Sequence, residues 1–194
     1  MTAAVREFDR RVEPGLALVE SAEEIARACH AMAARFHRGG KLLVFGNGGG
    51  ATDAEHIAVE FVHPVIVGKR ALPALSLAAD PTVLTGIAGR EGFAEVFAHQ
   101  LRQLADPADI ALGVSADGHC ANVLRAFEEA RRLGLLTVAL AGGDGGRLVG
   151  NADVDHLVVV RSDDPEVTKE VHVTTYHVLW ELVHVFFEHP GVLE

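Results

Sequence analysis

Only two of the 194 residues are cysteine, Cys29 and Cys120. Two are too few for a disulfide framework, and a reducing compartment, the cytoplasm, is where such a chain is expected. No apolar run approaches the roughly 18 residues needed to span a bilayer. The opening MTAAVREFDRRVEPG scatters charges where a signal peptide would carry an apolar stretch. Positive charge is in deficit: 17 Lys and Arg stand against 27 Asp and Glu, a formal net charge of −10. That balance argues against a nucleic-acid or membrane partner. It leaves room for an anionic small molecule, because a few backbone amides can bind phosphate inside an acidic protein. Internal repeats, low-complexity tracts and linkers are also missing. A single domain over residues 1–194 is therefore expected, and 49% hydrophobic residues are enough to build its core. The eleven histidines are read mostly as surface or packing residues.

What is present is a succession of five short apolar runs: KLLVF at 41–45, PALSL at 73–77, DIALGV at 109–114, LLTVALAG at 135–142 and HLVVV at 156–160. Longer stretches with helical spacing separate them. Near-continuous apolar strands alternating with helices predict an α/β fold, a five-stranded parallel sheet covered on both faces in three layers. Before the first strand, Ser21 and Glu24 have capping-box spacing, and Ile25, Ala28, Met32 and Phe36 then fall on one helix face. Gly39 and Gly40 end that helix. The α/β core spans about 40–162, between N-terminal helices over about 1–38 and a C-terminal helix over about 164–188. Asp164 and Pro165 start this last helix, and Val171, Tyr176, Leu179, Leu182, Val183 and Phe186 give it an apolar surface.

The first strand runs into GNGGGATDAEHIAVEF. Four glycines in five residues at a strand's carboxyl end let backbone approach a ligand, and the next helix aims its positive N-terminus at the same place. Ligands of open parallel sheets bind outside the carboxyl ends of the strands. The pattern is neither GxGxxG nor GxxxxGK[ST], so no dinucleotide or nucleoside triphosphate signature is met; a tight turn without a ligand is the alternative. His56 and Glu60, four apart, share a helix face, with Val59 and Phe61 expected to bury their flanks. Such a pair can hold a metal ion or act as acid and base.

The third strand ends in a second polar loop, Ser115 to Cys120. There Asp117 either caps the following helix or, with His119 and Cys120, offers metal donors. On the last helix Glu170, His177 and His184 form one stripe. Lys169 is offset from His177 but able to converge with it on one ligand, and His172 lies elsewhere on the circumference.

Together these segments resemble a known family. GNGGGATDAEHIAVEF is similar to the first motif of phosphoheptose (sedoheptulose 7-phosphate) isomerases, members of the sugar isomerase (SIS) group, which reads GNGGS followed by H-x-x-x-E. GVSADGHCANVLRAFEEARRLGLLTVALAGGDGGRL resembles their GISxSGNSxNV…A…GxxxxxLxGxxGG stretch. VTKEVHVTTYHVLWEL resembles their Q-E-x-H-x-x-x-x-H helix. The resemblance runs over roughly residues 10–188 and implies a flavodoxin-like doubly wound SIS domain with extra N- and C-terminal helices. It also implies a homotetramer whose sites lie between subunits, with the N-terminal helices packing on partners.

The same resemblance implies aldose–ketose isomerisation of a phosphorylated sugar by proton transfer between Glu60 and His177. Zinc, one ion per subunit, would sit on His56, Glu60 and His177. Asn47, Gly48 and Gly49 match the substrate loop, and Arg90, Ser115, Asp117, Cys120 and Lys169 occupy further substrate-contacting positions. Several of these depart from the family pattern. Gly50 replaces a serine, only Ser115 keeps its hydroxyl in the second loop, and Lys169 stands where a zinc-binding glutamine is expected. Gly89 and Arg90 replace an Asn-Asp pair. Each lost charge-assisted bond to phosphate removes about 1.5–3 kcal/mol, unless Arg90 or Lys169 offsets the loss. The alternative implied by those losses is a non-catalytic SIS protein that binds a ligand or a protein partner.

Overall fold

The computed structural model describes residues 2–193. Five strands, β1 (Leu42–Gly46), β2 (Ala74–Ser76), β3 (Ile110–Ser115), β4 (Leu136–Gly142) and β5 (His156–Val160), form one parallel sheet in the order β2-β1-β3-β4-β5. Every pairing is parallel, with Leu42 opposite both Ala74 and Ile110, Ile110 opposite Leu136, and Val138 opposite His156. This is the flavodoxin-like order, whose direction of winding reverses between β1 and β3.

Alternate strand residues serve two separate cores. Leu42, Val44, Ile110, Leu112, Leu136, Val138 and Val158 face helices α2 (Ala22–His37), α3 (Gly49–Val62) and α7 (Pro165–Glu188). Leu43, Phe45, Ala111, Ala139 and Ala141 face α4 (Pro81–Glu91), α5 (Val96–Leu104) and α6 (Ala121–Leu133). The near-continuous apolar runs are thus explained by burial on both sides. On the second face Gly113 makes room for Phe127 and Phe45, whose ring atoms would lie 2.6 and 2.8 Å from an added Cβ.

Helix ends follow local chemistry in most places. Asp164 Oδ1 accepts from the amides of Glu166 (2.9 Å) and Val167 (3.4 Å), with Pro165 in the first turn of α7. Gly39, at φ +87°, follows the end of α2. The expected capping box at Ser21 does not form. A single 3-10 turn, Leu18–Ser21, runs directly into α2, so Ser21 adopts φ −92°, ψ 4° and its side chain makes no cap bond. Glu24 instead accepts from Arg27 (2.6 Å) and meets His156 Nδ1 (2.7 Å).

The N-terminal helices divide in role. Helix α2 buries Ile25, Ala28, Cys29, Met32 and Phe36 in the protomer's own core. Helix α1 (Ala3–Ala17) buries none of its residues, and Val5, Phe8, Val12 and Leu16 lie exposed at helical spacing. It is tied to α7 by polar contacts, Arg10 with Asp164 and Arg11 with Glu170 (2.7 and 3.0 Å).

The loops leaving β3 and β4 are clasped together. Gly118 has φ +73°, and a Cβ there would sit 2.0 Å from the Gly145 carbonyl oxygen; one at Gly146 would sit 2.3 Å from that of Asp117. Gly118→Ala combines backbone strain of about 1–3 kcal/mol with this collision. It is expected to lower the unfolding free energy by about 2 kcal/mol or more in urea titrations. An unchanged midpoint would show that the clasp is not tight.

Candidate active site

The reversal of winding places the ends of β1 and β3 side by side, and the two ligand-loop candidates leave the sheet there. Asn47 follows β1 and Asn122 lies in the first turn of α6. Their side-chain amides bond reciprocally, at 2.7 and 2.8 Å, across the gap between the loops. Gly48 takes φ +53° and caps α3. The amides of Gly50, Ala51 and Thr52 turn back onto the carbonyls of Asn47 and Gly48, so part of the expected amide cradle is used within the loop itself. At Gly50 a Cβ would lie 2.9 Å from the Val114 carbonyl oxygen. The residue at the family's serine position is thus pressed against β3.

Helices α3 and α7 then run alongside each other with paired polar groups. At their N-terminal ends Lys169 Nζ donates to the Gly49 carbonyl (2.9 Å), Thr52 Oγ1 (3.0 Å) and Asp53 Oδ1 (2.7 Å). One turn on, Tyr176 Oη lies 2.8 Å from His56 Nδ1, while His56 Nε2 is 3.3 Å from Glu60 Oε1. Trp180 Nε1 donates to the Glu60 carbonyl at 2.9 Å and holds that turn in place. Burial pushes the Tyr176 hydroxyl's pKa up, and the charges of Asp53 and Glu60 push it further, so the hydroxyl stays protonated. With Nδ1 engaged by the tyrosine oxygen, Nε2 is the ring nitrogen of His56 turned toward Glu60.

His56, Glu60 and His177 each offer a donor atom, all within 4.8 Å of one another. Two imidazoles and a carboxylate are the donor set of an open zinc site, with a position left for substrate or water, so these residues fit the metal. Glu60 is well shielded, its side chain 14% exposed, whereas His56 is half-open and His177 faces outward. Asp117, His119 and Cys120 do not join any such cluster among the described residues.

Beside the triad, at the N-terminal ends of α3 and α7, lies a hollow of about 290 Å³ lined by Asn47, Gly49, Asp53, Ala116, Lys169 and His172, among others. The second loop closes over a turn of its own. Ser115 Oγ accepts from the Gly118 amide (2.9 Å) and Asp117 Oδ1 from the His119 amide (2.9 Å). Asp117 therefore does not cap α6, whose N-cap is Cys120 with no side-chain bond.

Other expectations are corrected. Arg90 lines a separate hollow between α4 and α5 with Thr82, His99 and Gln103, away from Asp117 in this protomer. Lys169 Nζ is held by Asp53 at 2.7 Å. Val59 is 53% exposed, so only Phe61 buries the flank of the His56–Glu60 pair. His184 lies on the same stripe of α7 but is buried, bonded to the carbonyls of Trp180 (2.8 Å) and Arg70 (2.9 Å). Asp53, Asn122 and Tyr176 are site residues that the sequence reading passed over. Asp53 and Tyr176 had a usable signal, since each stands one helical turn or less from a residue already singled out.

The SIS domain model matches residues 9–142. The chain belongs to the SIS domain family. Over its whole length it is 40% identical to a phosphoheptose isomerase of Desulfovibrio desulfuricans, covering 90% of that protein. A phosphoheptose isomerase of Thermodesulfovibrio yellowstonii is 38% identical over 97% of the chain and 90% of its own length. Among solved structures, the phosphoheptose isomerase of Francisella tularensis superposes with a TM-score of 0.84 at 31% identity, over 94% of this chain and 98% of that one. That of Neisseria gonorrhoeae gives 0.85 at 28% identity, over 93% and 96%.

In this SIS domain Lys169 and Asp53 form the most sheltered ion pair of the candidate site, the carboxylate 5% and the ammonium 43% exposed. Removing one partner strands the other. Lys169→Met is expected to cost about 2 kcal/mol of unfolding free energy, discounted for the lysine's exposure. Adding Asp53→Asn should recover part of that loss. Strictly additive losses in the double variant would show that the pair is not coupled.

Proposed function

We propose that the protein is a sugar-phosphate isomerase that interconverts aldose and ketose forms of a phosphorylated sugar such as sedoheptulose 7-phosphate. The observation that carries this reading is the convergence of His56, Glu60 and His177 beside the β1–β3 reversal. The phosphoheptose isomerases named above, alike over nearly the whole chain, support it. The alternative of a non-catalytic binding protein draws no support from those relatives.

In the proposed reaction Glu60 and His177 divide the proton work. The carboxylate removes the proton α to the carbonyl, giving an enediol, and returns it to the former carbonyl carbon. The imidazole gives a proton to the carbonyl oxygen and takes one from the neighbouring hydroxyl. Trp180 anchors the turn of α3 that carries this carboxylate, through the Glu60 backbone carbonyl. Zinc held by His56, Glu60 and His177, one ion per subunit, would polarise the carbonyl when bound. Glu60 as zinc ligand and Glu60 as free base are competing roles, and Tyr176 favours the first by presenting His56 Nε2 to a metal. For the sugar phosphate itself we assign Asn47, Gly48, Gly49 and Ser115 to binding. Asp117, Cys120 and Lys169 line or flank the same ends of the sheet, and we keep Arg90 as a further binding residue. We assign the protein to the cytoplasm, a reading that its two unpaired cysteines support; no helix among the described residues is long and apolar enough to cross a membrane.

Solvent deuterium should enter sedoheptulose 7-phosphate during incubation with the native protein. Glu60→Gln should cut both exchange and turnover by about 10²-fold or more. A wild-type protein that neither exchanges nor isomerises this sugar would sink the reading.

The exposed apolar face of α1 supports an oligomer. Its uncovered Phe8, Val12 and Leu16 suit packing against the same helix of other copies, and we assign the assembly as a tetramer with sites shared between subunits. Phe8→Glu combined with Leu16→Glu should shift the mass seen by light scattering to a smaller species. A monomeric wild type at micromolar concentration would rule out shared sites.

A further inference from the structure

Tyr176 stands where α7 lies against α3, beside the triad but outside it. It is 2% exposed and its ring packs in the first core, while the next residue, His177, points outward. Phenylalanine would fill that space about as well. A hydroxyl at such depth is costly unless it is matched, and this one is matched by His56 Nδ1 at 2.8 Å. What the oxygen adds to the core is therefore a bond to one of the candidate metal ligands.

His56 has use for such a bond. Its side chain is 41% exposed, and rotation about a histidine's Cβ–Cγ bond is broad and roughly two-fold. Half a turn exchanges each ring nitrogen with a carbon, which would take the donor atom out of the triad. With Nδ1 tied to the tyrosine oxygen, Nε2 stays 3.3 Å from Glu60 Oε1. Whichever of the two groups supplies the proton, the bond fixes the same ring orientation. His177 is met by ring edges instead. Its centroid lies 5.0 Å from that of Tyr176 and 5.2 Å from that of His56, with the planes at 79° and 80°. The Tyr176 and His56 rings close the cluster at 5.3 Å and 77°. All three contacts are edge to face, the arrangement that aromatic rings favour.

We propose that Tyr176 is the positioning residue of the triad: its hydroxyl sets the rotation of His56, and its ring sets the direction of His177. It acts through these two imidazoles and is not itself a catalytic residue. The inference rests on the reading of the triad given above. A neutral imidazole that binds zinc through Nε2 carries its proton on Nδ1, where the tyrosine oxygen can accept it.

The test separates the hydroxyl from the ring, on the full chain. Tyr176→Phe deletes the hydroxyl alone, and Tyr176→Leu deletes the ring as well. In competition with a chelator, the Phe variant should bind zinc about tenfold more weakly than the wild type and the Leu variant about a hundredfold. In ¹⁵N-histidine spectra of the zinc-loaded wild type, zinc should sit on Nε2 of His56, and the Nδ1–H should be protected from exchange. The Phe variant should lose that protection while the His177 resonances stay in place. Equal zinc affinity in the Phe variant overturns the proposal, even where urea shows a loss of stability, because the hydroxyl then serves packing alone. Zinc on Nδ1 of His56 overturns it too, as does a wild type that takes up no zinc. His177 resonances that move as far as those of His56 in the Phe variant overturn the part given to the ring. Equal affinities of Phe and Leu do the same; if Leu does not fold, the His177 resonances decide. Turnover of sedoheptulose 7-phosphate by a wild type whose zinc affinity the Phe variant shares overturns the positioning role alone. The affinity loss without any wild-type turnover overturns the isomerase reading alone.

Discussion

Helices α3 and α7 leave the sheet from different strands, β1 and β5, yet they meet level by level through complementary side chains. Asp53 pairs with Lys169, His56 meets Tyr176, the Glu60 carbonyl takes Trp180 Nε1, and Phe61 lies against His184. This contact sets the positions of the triad, the hollow and the glycine loop. Its upper levels are polar and partly open, whereas its lower levels merge into the core of Phe61, Leu179 and Val183. The apolar levels supply most of the adhesion by removing surface from water. The polar levels choose the register, because an ion pair or a tyrosine–histidine bond is lost if one helix slides by a turn.

That division matters for a site placed at a sheet's rim. The strands beneath are buried on both faces and have no freedom to shift, with Gly113 allowing α6 and Phe45 to press onto the sheet. Rigidity below and polar specificity above let a few side chains hold fixed directions while remaining open to a ligand. Tyr176 illustrates the combination. Its ring is buried in the first core while its hydroxyl orients His56.

Much of this was legible in the sequence, for identifiable reasons. The strands could be read because burial on both faces forces apolar runs, and α7 because Asp164 and Pro165 mark its start by local chemistry alone. His56 and Glu60 were legible because helical spacing by itself puts them on one face, and His177 through the resemblance. What was illegible depends on contacts distant in sequence. Ser21 has the spacing of a cap, but the preceding turn enters the helix without an extended residue, so the hydroxyl cannot reach back. Asp117 found a nearer amide than the helix's own. Val59 is apolar yet lies on the outer side of α3, and His184 sits where α7 has passed from the site into the core. Asn122 gains its meaning only from Asn47, 75 residues away.

Asp164 holds two duties at once. One carboxylate oxygen receives the first amides of α7, and the other grips Arg10 of α1. Helix α1 has no buried anchor of its own, so whatever grasps its apolar side pulls on the residue from which α7 begins. Lys169, His172, Tyr176 and His177 follow along that same rod. Through Asp164, and through Glu166 and Glu170 close beside it, a displacement of α1 is passed to the helix that carries the candidate site before it reaches the sheet.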